Sequence, residues 1–195
     1  MYEYITGKII YRSATNAVIE CNGIGYNLNI SLNTYSRLKE GAIQTVYTHL
    51  SVKEDSHTLF GFADEEERSM FRHLITVSGV GTSTARMILS SLNPAELQDA
   101  IIQGNAPVLQ SIKGIGSKSA QRIIIDLKDK ILKGEGSAVA VTTGAHSSAR
   151  QEALSALITL GFARHAAEKS LDSVIKSKGT TLGVEELIKS ALGNM

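Results

Sequence analysis

With 195 residues, 43% of them hydrophobic and 20% charged, the chain has the make-up of an ordinary globular protein of one medium domain or two to three small ones. Its formal net charge of +1 gives no global basic signal for nucleic acid, and its single cysteine, Cys21, excludes an intrachain disulfide and fits a reducing cytoplasm. The N-terminus "MYEYITGKII" lacks the basic-then-apolar layout of a secretory signal, and no run approaches the length of a membrane span, so no membrane partner is expected.

In chain order, "ITGKIIYR", "AVIEC", "GYNLNI", "TVYTHLSV" and "HTLFGF" are rich in β-branched and aromatic residues and predict five strands within residues 1–63. Asn22-Gly23 predicts a tight hairpin between two of them, because both residues tolerate positive φ. Five short strands imply a small barrel of OB type, although the pattern alone also allows an SH3-like one. Asp64, with Glu67 three residues later, has the pattern of a capping box opening a helix. Asn93-Pro94-Ala95-Glu96 marks a second start, with Asn as N-cap and Pro in the first turn. Residues 64–133 therefore read as an all-α domain. "GEGSAVAVTTGAHSS" (134–148) reads as a flexible linker with a span of roughly 20 Å. Ser148 and Gln151 then open the first of three short amphipathic helices over residues 149–195, a bundle with too little core to be an enzyme alone. The fold class is thus multidomain α+β.

The all-α region contains a repeat. "LITVSGVGTSTARMIL" (74–89) and "LQSIKGIGSKSAQRII" (109–124) align without a gap at an offset of 35 residues. The glycine spacing fits neither a dinucleotide-binding turn, which needs a third glycine where Ser119 stands, nor a P-loop. Each copy reads instead as helix, tight glycine turn, helix. The first N–H groups of the second helix lack intrahelical partners and lie at its positive end, which makes a main-chain phosphate site that reads no base. The expected contacts are Gly79, Val80, Gly81, Thr82, Ser83 and Arg86 in the first copy, and Gly114, Ile115, Gly116, Ser117, Lys118 and Arg122 in the second. The second copy lies in the more basic stretch: over residues 107–133, Lys113, Lys118, Arg122, Lys128, Lys130 and Lys133 stand against Asp126 and Asp129, a net +4. The first has hydroxyls after its glycines and only Arg86 charged, so weaker binding is expected there. Packing alone would also account for the apolar repeat positions.

These residues look like tandem helix-hairpin-helix motifs. With the N-terminal barrel and the C-terminal UBA-like bundle, and with "VKEDSHTLFGF", "GVG", "GIGSKSAQRII" and "EALSALITLGF", the chain resembles the RuvA family over nearly its whole length. That family supplies the Holliday-junction-binding subunit of the bacterial RuvAB branch-migration complex, in recombination and DNA repair. The resemblance implies a homotetramer, or a pair of tetramers, holding a four-way junction in square-planar form. The barrels would surround the fourfold axis, and the hairpins 79–83 and 114–118 would grip the arms. It makes Glu54 and Asp55 an acidic pin at the junction centre, where composition alone suggests a solvated turn. It makes the C-terminal bundle a tether for a RuvB-type AAA+ motor, and it adds a RuvC-type resolvase as a further partner. In "ALITLGF", Leu157, Leu160 and Phe162 are the candidate contacts, although most of them must form the bundle's own core. The first hairpin departs from some relatives in lacking a basic residue after Gly-Val-Gly.

No cofactor, metal or catalytic residue is expected. His49, His57, His73, His146 and His165 have no ligand spacing, and no P-loop is present. A glycosylase would need a catalytic Asp in a Gly/Pro-rich setting, and Asp126 with Lys128 lacks one. A generic duplex-binding scaffold and a protein adaptor with purely structural hairpins remain the alternatives.

Overall fold

The five β-rich runs pair into one closed sheet. In the computed structural model, which describes residues 2–132, 145–178 and 182–194, β1 (Tyr4–Arg12), β2 (Asn16–Cys21), β3 (Ile24–Asn29), β4 (Ile43–Lys53) and β5 (Ser56–Phe62) form a barrel in the order β1-β2-β3-β5-β4. The closing pairs are antiparallel β1 with β4 and parallel β3 with β5, which is the OB-type arrangement. Asn22 (φ 50°) and Gly23 (φ 81°) turn β2 into β3, with Cys21 opposite Ile24. Alternate residues of the strands, among them Ile5, Ile9, Ile19, Leu28 and Val46, fill the interior. Gly7 is fixed by crowding: a Cβ there would lie 2.1 Å from the Glu20 carbonyl oxygen.

A short helix not foreseen from the sequence, α1 (Leu32–Arg37), joins β3 to β4 and is capped by Ser31. Six residues carry too little periodicity to announce a helix. Helices α2 (Glu65–Ile75), α3 (Thr82–Ser91), α4 (Pro94–Gln103), α5 (Ala106–Gln110) and α6 (Ser117–Leu132) follow. The box at Asn93/Glu96 forms in full. At α2 the Asp64 carboxylate caps the Glu67 N–H at 2.7 Å, but the Glu67 side chain does not return to Asp64; it is fully buried against α1. The core of α2–α6 extends to the barrel through Phe60 and Phe62, whose rings lie 5.1 and 4.9 Å from that of Phe71.

The second compact unit is a three-helix bundle of α7 (Ala145–Thr159), α8 (Arg164–Lys178) and α9 (Val184–Leu192) around Leu154, Leu157, Leu171, Val174 and Leu187. Helix α7 starts at Ala145, earlier than the start that Ser148 suggested. The remaining predicted linker, 134–144, lies outside the described residues. No helix among those described is long and apolar enough to cross a membrane.

Candidate nucleic-acid interface

The two hairpins repeat at the level of single hydrogen bonds. In the first, Val77 N–H donates to Leu74 O (3.1 Å), Val80 N–H to Val77 O (3.0 Å), and Ala85 N–H to Gly81 O (2.9 Å). In the second, Ile112 donates to Leu109 (3.2 Å), Ile115 to Ile112 (3.0 Å), and Ala120 to Gly116 (3.0 Å). Leu74, Val77, Val80, Ala85 and Ile88 are buried, as are Leu109, Ile112, Ile115, Ala120 and Ile123. The apolar repeat positions are therefore core, and Val80 and Ile115 present no side chain to a ligand.

The two glycines of each turn have different reasons to be glycine. Gly79 and Gly114 sit at φ 87° and 88°, where a side chain is strained. Gly81, at φ −83° and ψ 173°, has an ordinary extended backbone, and a Cβ at Gly81 or Gly116 would meet nothing within 4 Å. Among the described residues nothing crowds a side chain at the second position. What its absent side chain leaves open is the start of the next helix. Gly81 is the N-cap of α3 and offers no capping bond, whereas Ser31, Asp64, Asn93 and Asn105 cap α1, α2, α4 and α5. Gly116, in the equivalent place before α6, likewise has no side chain to offer. Neither α3 nor α6 has an acidic residue in its first turn, while α2 has three and α4 has one. The positive ends of α3 and α6 are thus left bare for an external anion.

The side chains around these ends divide by role. Ser83, Ser117 and Lys118 are exposed, Thr82 is half-buried, and Lys118 stands in the first turn of α6. Arg122, one turn on, donates to Ser78 O in the first hairpin's turn (3.2 Å), and Lys130 donates to Thr76 Oγ1 (3.1 Å). Two cations of α6 thereby lie on the first hairpin, which has none of its own at the turn. Arg86 differs from expectation. Its guanidinium reaches the barrel, donating to Asn29 Oδ1 (2.9 Å) and Thr15 O (3.3 Å), so it is engaged within the chain.

Glu54 and Asp55 occupy the two-residue turn between β4 and β5, beyond the Lys53–Ser56 pair, and both are exposed. In the C-terminal bundle Leu157 is fully buried, which corrects its expected role as a partner contact; Leu160 is 62% exposed and Phe162 half-buried.

The residue that sequence reasoning missed is Glu67. Its carboxylate accepts from Ser31 Oγ and from Thr34 Oγ1 (2.7 Å), and burial raises its pKa against the opposing effect of these bonds and of Arg37. The spacing to Asp64 suggested a capping partner, and nothing in the sequence pointed to α1. Among the described residues no group of three or more His, Cys, Asp or Glu is placed to hold a metal.

Comparison with known proteins decides the family. Residues 1–61 match the RuvA N terminal domain, 71–129 the SAM-like helix-hairpin-helix tandem, and 148–195 the RuvA C-terminal domain. A protein of Christiangramia forsetii is 50% identical over 192 residues, covering 98% of both chains. One from Cytophaga hutchinsonii is 47% identical over 98% of both, and one from Flavobacterium psychrophilum is 46% identical over the full length of both. The chain belongs to the RuvA family. All three relatives are named Holliday junction branch migration complex subunit RuvA. In this member the barrel, the paired hairpins and the C-terminal bundle fall in the family order.

Proposed function

We propose that this chain is the non-catalytic, junction-binding subunit of a branch-migration complex. It binds four-way DNA and holds it open while a RuvB-type AAA+ motor hydrolyses ATP and moves the duplex arms. The reading is carried by one observation: two helix N-termini in the same hydrogen-bonding register, each preceded by a glycine that has no side chain to cap the first-turn N–H groups. The relatives' shared name points the same way. Phosphate oxygens accept from the first-turn N–H groups of α3 and α6, with Thr82, Ser83, Ser117 and Lys118 adding side-chain donors. These contacts read backbone and not bases, so a low net charge suffices and sequence preference is weak.

Four copies, or two sets of four, grip four arms at once, with the barrels near the axis. The carboxylates of Glu54 and Asp55, at an exposed hairpin tip, repel strand phosphates at the crossover. That costs affinity and adds selectivity for the open junction. The C-terminal bundle, residues 149–195, tethers the motor through exposed apolar side chains such as Leu160, with Phe162 beside it. A RuvC-type resolvase acts on the same junction, and the setting is the cytoplasm, in recombination and repair. Hydroxyl-radical footprinting on a static four-way junction tests the reading. Symmetric protection of all four arms beside the crossover is expected; protection confined to one arm would overturn it.

A further inference from the structure

Five hydrogen bonds between the barrel side and the helices that follow it converge on one short stretch at the end of β3 and the start of α1, residues 29–34. Asn29 Oδ1 accepts from Arg86 of α3 (2.9 Å). Leu32 N–H donates to Ser90 Oγ, one turn further along α3 (3.1 Å). Ser31 and Thr34 donate to the buried Glu67 of α2, and Thr34 Oγ1 also accepts from Ala63 N–H (3.0 Å), at the exit from β5. Elsewhere Arg68 of α2 donates to Glu3 O (2.7 Å) and pairs with the Glu3 carboxylate, which Arg72 also reaches (3.5 Å), and Arg37 of α1 pairs with Asp64 at the start of α2. These contacts hold α2, whereas those to Asn29 and Leu32 reach α3. The apolar contact of Phe60 and Phe62 with Phe71 holds the domains together but is non-directional. Hydrogen bonds with fixed partners set an angle.

We propose that residues 29–34 form a clamp that fixes the first hairpin at a set angle to the barrel, with Arg86 as a positioning residue and not a phosphate ligand. The inference rests on the junction-binding reading above. A linear duplex needs only the hairpin surface, which moves as one body because α2, α3, α5 and α6 share a core. A junction needs that surface and the Glu54–Asp55 tip at correct positions in several copies together, so an angular error counts repeatedly. A burial-only role for Arg86 would make no such distinction between DNAs.

The test uses full-length protein carrying Arg86→Ala, Asn29→Ala, both, or Asn29→Asp, with affinity for a four-way junction and for a linear duplex measured over a salt series. Either alanine variant is expected to lose about tenfold on the junction and under about twofold on the duplex, with the salt slope unchanged. The double variant is expected to be little worse than Arg86→Ala alone, since the Asn29 bond is one of the two that Arg86 makes, the other being to Thr15 O. Asn29→Asp keeps the acceptor and is expected to retain junction preference. The clamp is overturned if Arg86→Ala weakens both DNAs alike and lowers the slope by about one while Asn29→Ala is silent, which is the signature of a phosphate contact. It is equally overturned if all variants match the parent. Should the parent itself show no junction preference, the function reading fails separately. Amide exchange across α3 in Asn29→Ala then decides the clamp: faster exchange than the parent supports it, and unchanged exchange sinks it.

Discussion

Transferring the cap of α4 onto α3 separates the stability of the hairpin from its binding. Gly81 (φ −83°, ψ 173°) and Asn93 (φ −72°, ψ 165°) have nearly the same backbone conformation, and Asn93 caps its helix by accepting from the N–H three residues on, at 2.9 Å. In Gly81→Asn the new side chain meets open space and is placed to accept from Thr84 N–H. A better cap and a less flexible unfolded chain together stabilise by about 0.5–1 kcal/mol, a rise of roughly 1–4 °C in unfolding midpoint. The same side chain occupies the donors that a phosphate would use, and losing one or two charge-assisted bonds weakens DNA binding by about tenfold or more. Calorimetry with gel-shift titration measures both. Gly79→Asn is the control: at φ 87° it costs about 1 kcal/mol, so stability and affinity fall together. A stabilised Gly81→Asn protein with full DNA affinity would refute the phosphate site.

Lys118→Ala should weaken junction and duplex by similar factors and reduce the salt slope by about one per subunit, read by the same titration; an unchanged slope would remove Lys118 from the interface. Glu54→Gln with Asp55→Asn should tighten junction binding by about threefold to tenfold and leave duplex binding alone, since the change removes only repulsion at the tip. Glu67 makes stability depend on pH. Its folded carboxyl holds a proton more readily than the unfolded chain does, so stability falls as pH rises from the ordinary glutamate value through the raised folded one. Glu67→Gln should flatten that fall, seen as urea midpoints that gain on the parent between acid and neutral pH; parallel curves would count against it.

The barrel was legible because its strands are dense in β-branched residues and Asn22-Gly23 supplies the φ values a tight hairpin needs. The hairpins were legible because the repeat is gap-free, and buried pairs such as Val77/Ile112 and Ala85/Ala120 obey it. What escaped were partners distant in sequence. Arg86 read as a free cation because Asn29 lies 57 residues away, and Glu67 read as a capping partner because Ser31 and Thr34 lie 36 and 33 residues away. Local spacing encodes helical faces but not which element packs on them. The same limit put Leu157 among the partner contacts when it is core and Leu160 is exposed.

The central claim is that several copies grip several arms through main-chain and Lys118 contacts to phosphate. It is tested most directly by the affinity of the intact chain for a four-way junction and for a linear duplex of the same arm sequence, over a salt series without ATP or motor. The account predicts much tighter junction binding with a steeper salt slope, because more phosphates are neutralised at once. Equal affinities and equal slopes would contradict it.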